Sequence, residues 1–457
     1  MLTQGGRALF ATALLLCMTA LGTTARSASM AANLVPNPSF EHAAGEVPTA
    51  WTPSAPRPEI SPAFALSREF AHSGEASLLM SGQGRAGVFG WVTAECAGVT
   101  PGRYYEAAVY VHTEDIATVH ESVTALVTMV RDTQEALPRV AVLAAEREEN
   151  GWRRLAVRVR APQDATAARI FLSLRLAPHG RVWWDDVSLH EVPAPPPRKA
   201  RLATSYLNRA ARGPEAWREV LKTAGEGGAD IVCLGELATV VPDDPNARPA
   251  IPGPATEVLA EYARQYHMMV VASLPEWQGP LRYNTAVLIG RDGHLIGRYR
   301  KTHLPEAEGQ SGTTPGYELP VFDTDIGRIG LQVCYDHMFP EVSRILALKG
   351  AELIFTPIEG DIRLDGQVYE SVARARAVDN SVYYVTSICD TGRSLIVDPA
   401  GRVLADTAQQ LGVVFADVDL NTVYWEPWLS IGGDGVFQQL WPKERHPALY
   451  RPLLTDE

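Results

Sequence analysis

The chain has 457 residues, 46% hydrophobic and 21% charged, with a net charge of −12. That length holds two or three domains, each with its own core, and the composition is that of globular protein. The acidic balance argues against a nucleic-acid binder and against attraction to anionic membrane surfaces.

The N-terminus reads as a secretory signal peptide over residues 1–29. Arg7 supplies the positive region, Ala8 to Leu21 the apolar region, and Ser27-Ala-Ser29 a small-residue cleavage site. The expected location is secreted or periplasmic. The apolar run is short for a spanning helix, and no other run is long enough, so no transmembrane anchor is expected after cleavage. Cys96, Cys233, Cys334 and Cys389 remain, too widely spaced for a disulfide framework.

Residues 33–192 carry a β pattern. Val88 to Val92, Tyr104 to Val111, Ser122 to Val130, Leu155 to Val159 and Ile170 to Leu176 are rich in β-branched and aromatic residues, with turn signals such as Pro101-Gly and Asn150-Gly between them. Short strands at regular spacing predict an all-β sandwich of the jelly-roll kind. Residues 193–199 form a Pro-rich linker.

Over residues 200–457 strands and helices alternate, which predicts an α/β unit. Trp217 to Gly225 and Thr256 to His267 read as helices, Asp230 to Leu234 and Met268 to Ser273 as strands. Tyr283 to Ile289 and Gly297 to Lys301 flank the turn Arg291-Asp-Gly293 as a hairpin. Ile329, Leu331 and Val333 alternate as a buried strand that ends at Cys334, and Pro340 opens a helix. Taken alone, Cys334 reads as a small buried hydrophobe. Two partners reverse that. Glu236 directly follows the strand Ile231 to Leu234, and Lys301 ends another. Side chains at the ends of neighbouring strands converge. A thiolate, a carboxylate base and an ammonium beside a developing oxyanion are the groups that acyl-transfer chemistry needs. The backbone N–H of Tyr335 is a further candidate oxyanion donor, and the lysine cation is expected to help keep the sulfur ionised.

The segments Leu234-Gly-Glu-Leu, Arg300-Lys-Thr-His-Leu-Pro, Thr314-Pro-Gly, Gly327 to Asp336 with Phe339-Pro-Glu, and Arg374 to Asn380 resemble the nitrilase (carbon–nitrogen hydrolase) superfamily. The resemblance implies an α-β-β-α sandwich whose copies pair into dimer-based homo-oligomers. It implies Cys334 as nucleophile, Glu236 as general base and Lys301 as stabiliser of the tetrahedral intermediate. It also points to a second glutamate after the lysine, Glu308 with Glu306 as its rival. The implied substrate is a small linear amide or N-carbamoyl compound. Acyl transfer on the same fold, or a glycan-binding protein with an inactive hydrolase unit, are the alternatives. His303 and His337 read as structural or pocket-rim residues. No cofactor and no active-site metal are implied. Gly235, where many relatives carry proline, is a departure, as is Gln367-Val-Tyr-Glu370 where some carry His-Trp-Glu.

The opening Asn33 to Glu41 and closing Val182 to Leu189 of the β region resemble galactose-binding-like jelly rolls, among them carbohydrate-binding modules. That resemblance makes Glu41 and Asp186 candidates for a structural calcium and a glycan a candidate partner. Trp51, Trp91, Trp152 and Trp183 read as core rather than as sugar-stacking platforms.

Overall fold

A computed structural model describes residues 32–45, 47–131, 139–242, 244, 246–360, 367–428 and 433–454. The expected signal peptide lies outside the described residues.

The first unit is built from two antiparallel sheets. One runs, in spatial order, Ala144–Glu149, Trp152–Arg160, Tyr104–Glu114, Arg181–Val192, Ser77–Ser81 and Ala63–Ser67. The other contains Arg139–Val142, Val123–Arg131, Ala165–Arg175, Phe89–Cys96 and Thr52–Ser54. Alternate residues of each strand point to a shared core: Ala168, Ile170, Leu172 and Leu174 from one sheet meet Val109, Val111 and Trp184 from the other. Trp51, Trp152 and Trp183 are buried and Trp91 is half-buried.

A C-terminal hairpin joins this unit. Trp425–Trp428 pairs with Gly433–Val436, which runs parallel to Arg139–Val142 and extends the second sheet. The hairpin lies within 200–457, the span read from sequence as one unit. It covers a sheet edge that would otherwise leave backbone donors and acceptors unpaired.

The second unit has two sheets between helices. Lys199–Tyr206, Ile231–Cys233 and Met269–Gln278 pair in parallel, and Leu281–Ile289 and Leu295–Arg300 continue antiparallel. Gly327–Leu331, Leu353–Ile358 and Tyr383–Ile388 form a second parallel set. Leu202, Ile231 and Val271 pack against Ile329, Leu353 and Val385 between the sheets. The helices Pro214–Glu226 and Pro254–Tyr266 cover one outer face, and Pro340–Leu348 and Gln367–Asn380 the other. The result is a four-layer α-β-β-α sandwich of the nitrilase type. Its parallel strands are mostly apolar, as expected of strands buried on both faces. Among the described residues no helix is long and apolar enough to cross a membrane.

Candidate active site

The strand ends bring Glu236, Lys301 and Cys334 together, with Glu308 beside them. Register does part of this. Leu281–Ile289 pairs with Leu295–Arg300 so that Thr285 faces Arg300, and the Lys301 N–H donates to the Asn284 carbonyl at 2.9 Å. Lys301 therefore leaves the sheet beside Asn284. Its ammonium donates to Glu236 Oε1 at 2.8 Å and to Glu308 Oε2 at 2.6 Å. Glu306 points elsewhere and accepts from Gln310 at 2.9 Å.

Glu236 and Lys301 are almost fully buried, 5% and 2% exposed. A buried carboxylate needs several donors. Besides Lys301, Glu236 Oε1 takes the Asn284 amide at 2.8 Å, and Oε2 takes the Glu359 N–H at 2.9 Å. The same Asn284 amide nitrogen donates to Glu308 Oε1 at 3.0 Å. Ser273 Oγ donates to Asn284 Oδ1 at 2.6 Å and accepts the Leu237 N–H at 3.1 Å. Asn284 is thus oriented from behind.

The strand Gly327–Leu331 ends before Cys334, which begins a tight 3-10 turn, Cys334–Met338, that precedes the helix Pro340–Leu348. Cys334 has φ +44° and Leu237, next to Glu236, has φ +48°. For residues with a Cβ this left-handed backbone costs about 1–2 kcal/mol each. Asp336 holds the turn. Its fully buried carboxylate accepts from Tyr299 Oη (2.7 Å), the Val333 N–H (3.0 Å), Thr302 Oγ1 (3.0 Å) and the His303 N–H (2.9 Å). One side chain so ties the segment after Lys301 to the turn that carries the thiol.

Burial pushes the Cys334 thiol well above the usual range, and the negative charge and hydrogen bond of Glu236 push the same way. The Lys301 cation and the Glu359 N–H oppose them and lose. The lysine acts on the sulfur in the expected direction, but burial and Glu236 outweigh it, so the resting group is a thiol. For Lys301 burial works against the ammonium, but Glu236, the Cys334 sulfur and Glu308 outweigh it and raise its pKa above the ordinary lysine value. The Tyr335 side chain is exposed, and its backbone follows Cys334 in the turn.

His337 is fully buried, sharing hydrogen bonds with Tyr384 Oη at 2.7 Å and the Tyr369 carbonyl at 3.0 Å. His303 stacks on Phe339 at 3.9 Å. Gly235 has a local cause: a Cβ there would lie 2.6 Å from Cys389 Cβ, and Cys389 Sγ donates to the Glu236 carbonyl at 3.3 Å.

Asn284, Ser273, Asp336 and the Glu359 N–H received no role from sequence. Asn284 had a signal, because an amide inside the run Tyr283 to Ile289 is unusual for a buried strand.

In the first unit Glu41 and Asp186 are occupied by protein donors. Glu41 Oε1 accepts the N–H groups of Glu75 and Ala76 at 2.9 and 3.1 Å. Asp186 takes His72 Nδ1 at 2.6 Å and the hydroxyls of Ser39 and Ser73 at 2.6 and 2.7 Å. Among the described residues no group of three His, Cys, Asp or Glu side chains is arranged to hold a metal.

A four-layer α-β-β-α unit with a cysteine, a carboxylate and a lysine at converging strand ends defines a class of thiol-containing α/β enzymes. Comparison with known proteins narrows it. The family model described as carbon-nitrogen hydrolase matches residues 200–425. Omega-amidase NIT2 of Bos taurus is 33% identical over 223 residues, covering 44% of this chain and 81% of that one. The Homo sapiens protein is 33% identical over 222 residues, covering 44% and 80%. Among solved structures, the carbon-nitrogen hydrolase from Helicobacter pylori G27 is 23% identical with a TM-score of 0.47, covering 56% of this chain and 99% of that one. An amidase from Nesterenkonia sp. is 26% identical with a TM-score of 0.45, covering 56% and 96%. The chain belongs to the carbon–nitrogen hydrolase family, and it is a hydrolase of carbon–nitrogen bonds other than peptide bonds.

Proposed function

We propose that the protein is an exported thiol amidohydrolase that cleaves a linear amide or N-carbamoyl bond through a Cys334 thioester. The observation that carries this is the Glu236 carboxylate that holds the Lys301 ammonium at 2.8 Å, with the charges of both acting on the Cys334 thiol. A thiol kept neutral by burial cannot attack until a base takes its proton, and Glu236 is in place to do so.

The sulfur then bonds to the carbonyl carbon while its proton passes to Glu236. The negative charge that develops on the carbonyl oxygen is met by Lys301 and the Tyr335 N–H; losing one such donor costs on the order of 10²–10³ in rate. Glu236 returns the proton to the leaving nitrogen as the carbon–nitrogen bond breaks, which gives ammonia or an amine and a thioester. Water, deprotonated by Glu236, attacks the thioester, and the carboxylic acid (or carbamic acid) and free thiol are restored. Glu308 anchors the far side of the Lys301 ammonium and so fixes its direction. The similarity to omega-amidases favours an amide over a nitrile.

The first unit is proposed to be a galactose-binding-like jelly roll that places the enzyme on a glycan. Its support is the pair of motifs at residues 33–41 and 182–189 and the two facing sheets. Export rests on the reading of residues 1–29, and a dimer on the resemblance to the superfamily.

The test is ammonia release from small amides, N-carbamoyl amino acids and nitriles by mature protein and by Cys334→Ala. Turnover of an amide or N-carbamoyl compound that disappears in the variant is expected. Silence across the panel in folded protein would shift the assignment to acyl transfer or to glycan binding.

A further inference from the structure

A cavity of about 410 Å³ opens where the C-terminal helix Phe437–Glu444 lies on the first unit, away from Cys334. Its size is that of a small-molecule site. The wall is preformed, because Gln439 acts as a strand partner. Its Oε1 accepts the Val142 N–H at 2.8 Å and its Nε2 donates to the Val142 carbonyl at 2.9 Å.

The lining is chemically one-sided. Val123, Val142 and Leu155 give an apolar wall, while Lys443, Arg153 and His120 supply cationic or titratable groups, and among the described residues no Asp or Glu lines the space. Among the described residues no Trp, Tyr or Phe lines it either, so these offer no flat platform on which a sugar ring stacks. Arg153 has Glu148 at 3.7 Å and His120 has Glu121 at 3.7 Å. Lys443 makes no ion pair or hydrogen bond among the described residues. Burial lowers its pKa to about 8, with Arg175 adding to the effect and Glu444 and Glu121 opposing it. An ammonium half-removed from water beside an apolar wall is completed by an anion attached to an apolar body.

We propose that this cavity binds a medium-chain aliphatic carboxylate, with its chain along Val123, Val142 and Leu155 and its headgroup on Lys443. The site is independent of the hydrolase reading, since it shares no residue with the Cys334 cluster.

The experiment is calorimetric titration of full-length protein with decanoate, alongside decanol as the uncharged probe. Saturable one-to-one binding of decanoate is expected, retained in Cys334→Ala. Decanol should bind about tenfold more weakly, the worth of one charge-assisted contact. Lys443→Met keeps the apolar stem and should weaken decanoate by about tenfold while leaving decanol unchanged. Val123→Phe, which fills the cavity, should weaken both, with folding of each variant checked by circular dichroism. No saturable decanoate binding, an unchanged affinity in Lys443→Met, or binding that is lost in Cys334→Ala would each overturn the proposal.

Discussion

Replacing Asn284 tests whether the second layer of the site sets catalysis. One amide nitrogen donates to Glu236 at 2.8 Å and to Glu308 at 3.0 Å, and Ser273 fixes its orientation at 2.6 Å. Hydrogen bonds to charged groups contribute about 1.5–3 kcal/mol each. Asn284→Ala removes the bond to the proposed base. If that bond alone holds Glu236 in line with the thiol, its loss lowers kcat/KM by about 10- to 150-fold. The bond to Glu308 acts one step further away, through Lys301, and adds less. Asn284→Asp keeps the shape but sets a third carboxylate against two others, so it should be at least as damaging as the alanine variant. The assay is ammonia release on the best small amide, with thermal melts to separate catalysis from folding. An alanine variant within about threefold of the parent, or an aspartate variant more active than the alanine one, would refute the reasoning.

The neutral thiol makes a pH prediction. Because burial and Glu236 raise the Cys334 pKa above its ordinary 9.0, iodoacetamide alkylation of Cys334 should keep accelerating above pH 9. A plateau below about pH 8 would contradict it. Asp185 gives a stability prediction. It is fully buried, and burial and the neighbouring Asp186 raise its pKa from 3.8 to about 6 against three backbone N–H donors. A raised carboxyl contributes stability that is complete below 3.8 and lost as pH rises through about 6, at most about 3 kcal/mol. Denaturant melts should therefore show the parent losing stability relative to Asp185→Asn between about pH 3.8 and 6; identical pH dependence would remove Asp185 as the cause. Asp336→Asn turns an amide towards N–H and O–H donors. It should cost about 1–3 kcal/mol of stability and depress kcat, which chemical unfolding and initial rates would measure.

Much of this protein was legible along the chain. Runs rich in β-branched and aromatic residues at regular spacing announced the strands of the first unit, and the shift to alternating helices and strands after the Pro-rich linker announced the second. Glu236, Lys301 and Cys334 could be singled out because each stands at the end of a predicted strand, and strand ends are local features. Tertiary structure alone decided which groups surround them. The amide of Asn284 reaches two carboxylates only because the hairpin register puts it beside Lys301. The return of the hairpin Trp425–Trp428 and Gly433–Val436 to the first unit was equally hidden, since an open sheet edge elsewhere in the chain leaves no mark on the strand that will cover it. The sign of the thiol shift was hidden for the same reason. Sequence supplies the charges of Glu236 and Lys301, but the depth of burial, which outweighs the lysine, arises only when distant strands close over the sulfur.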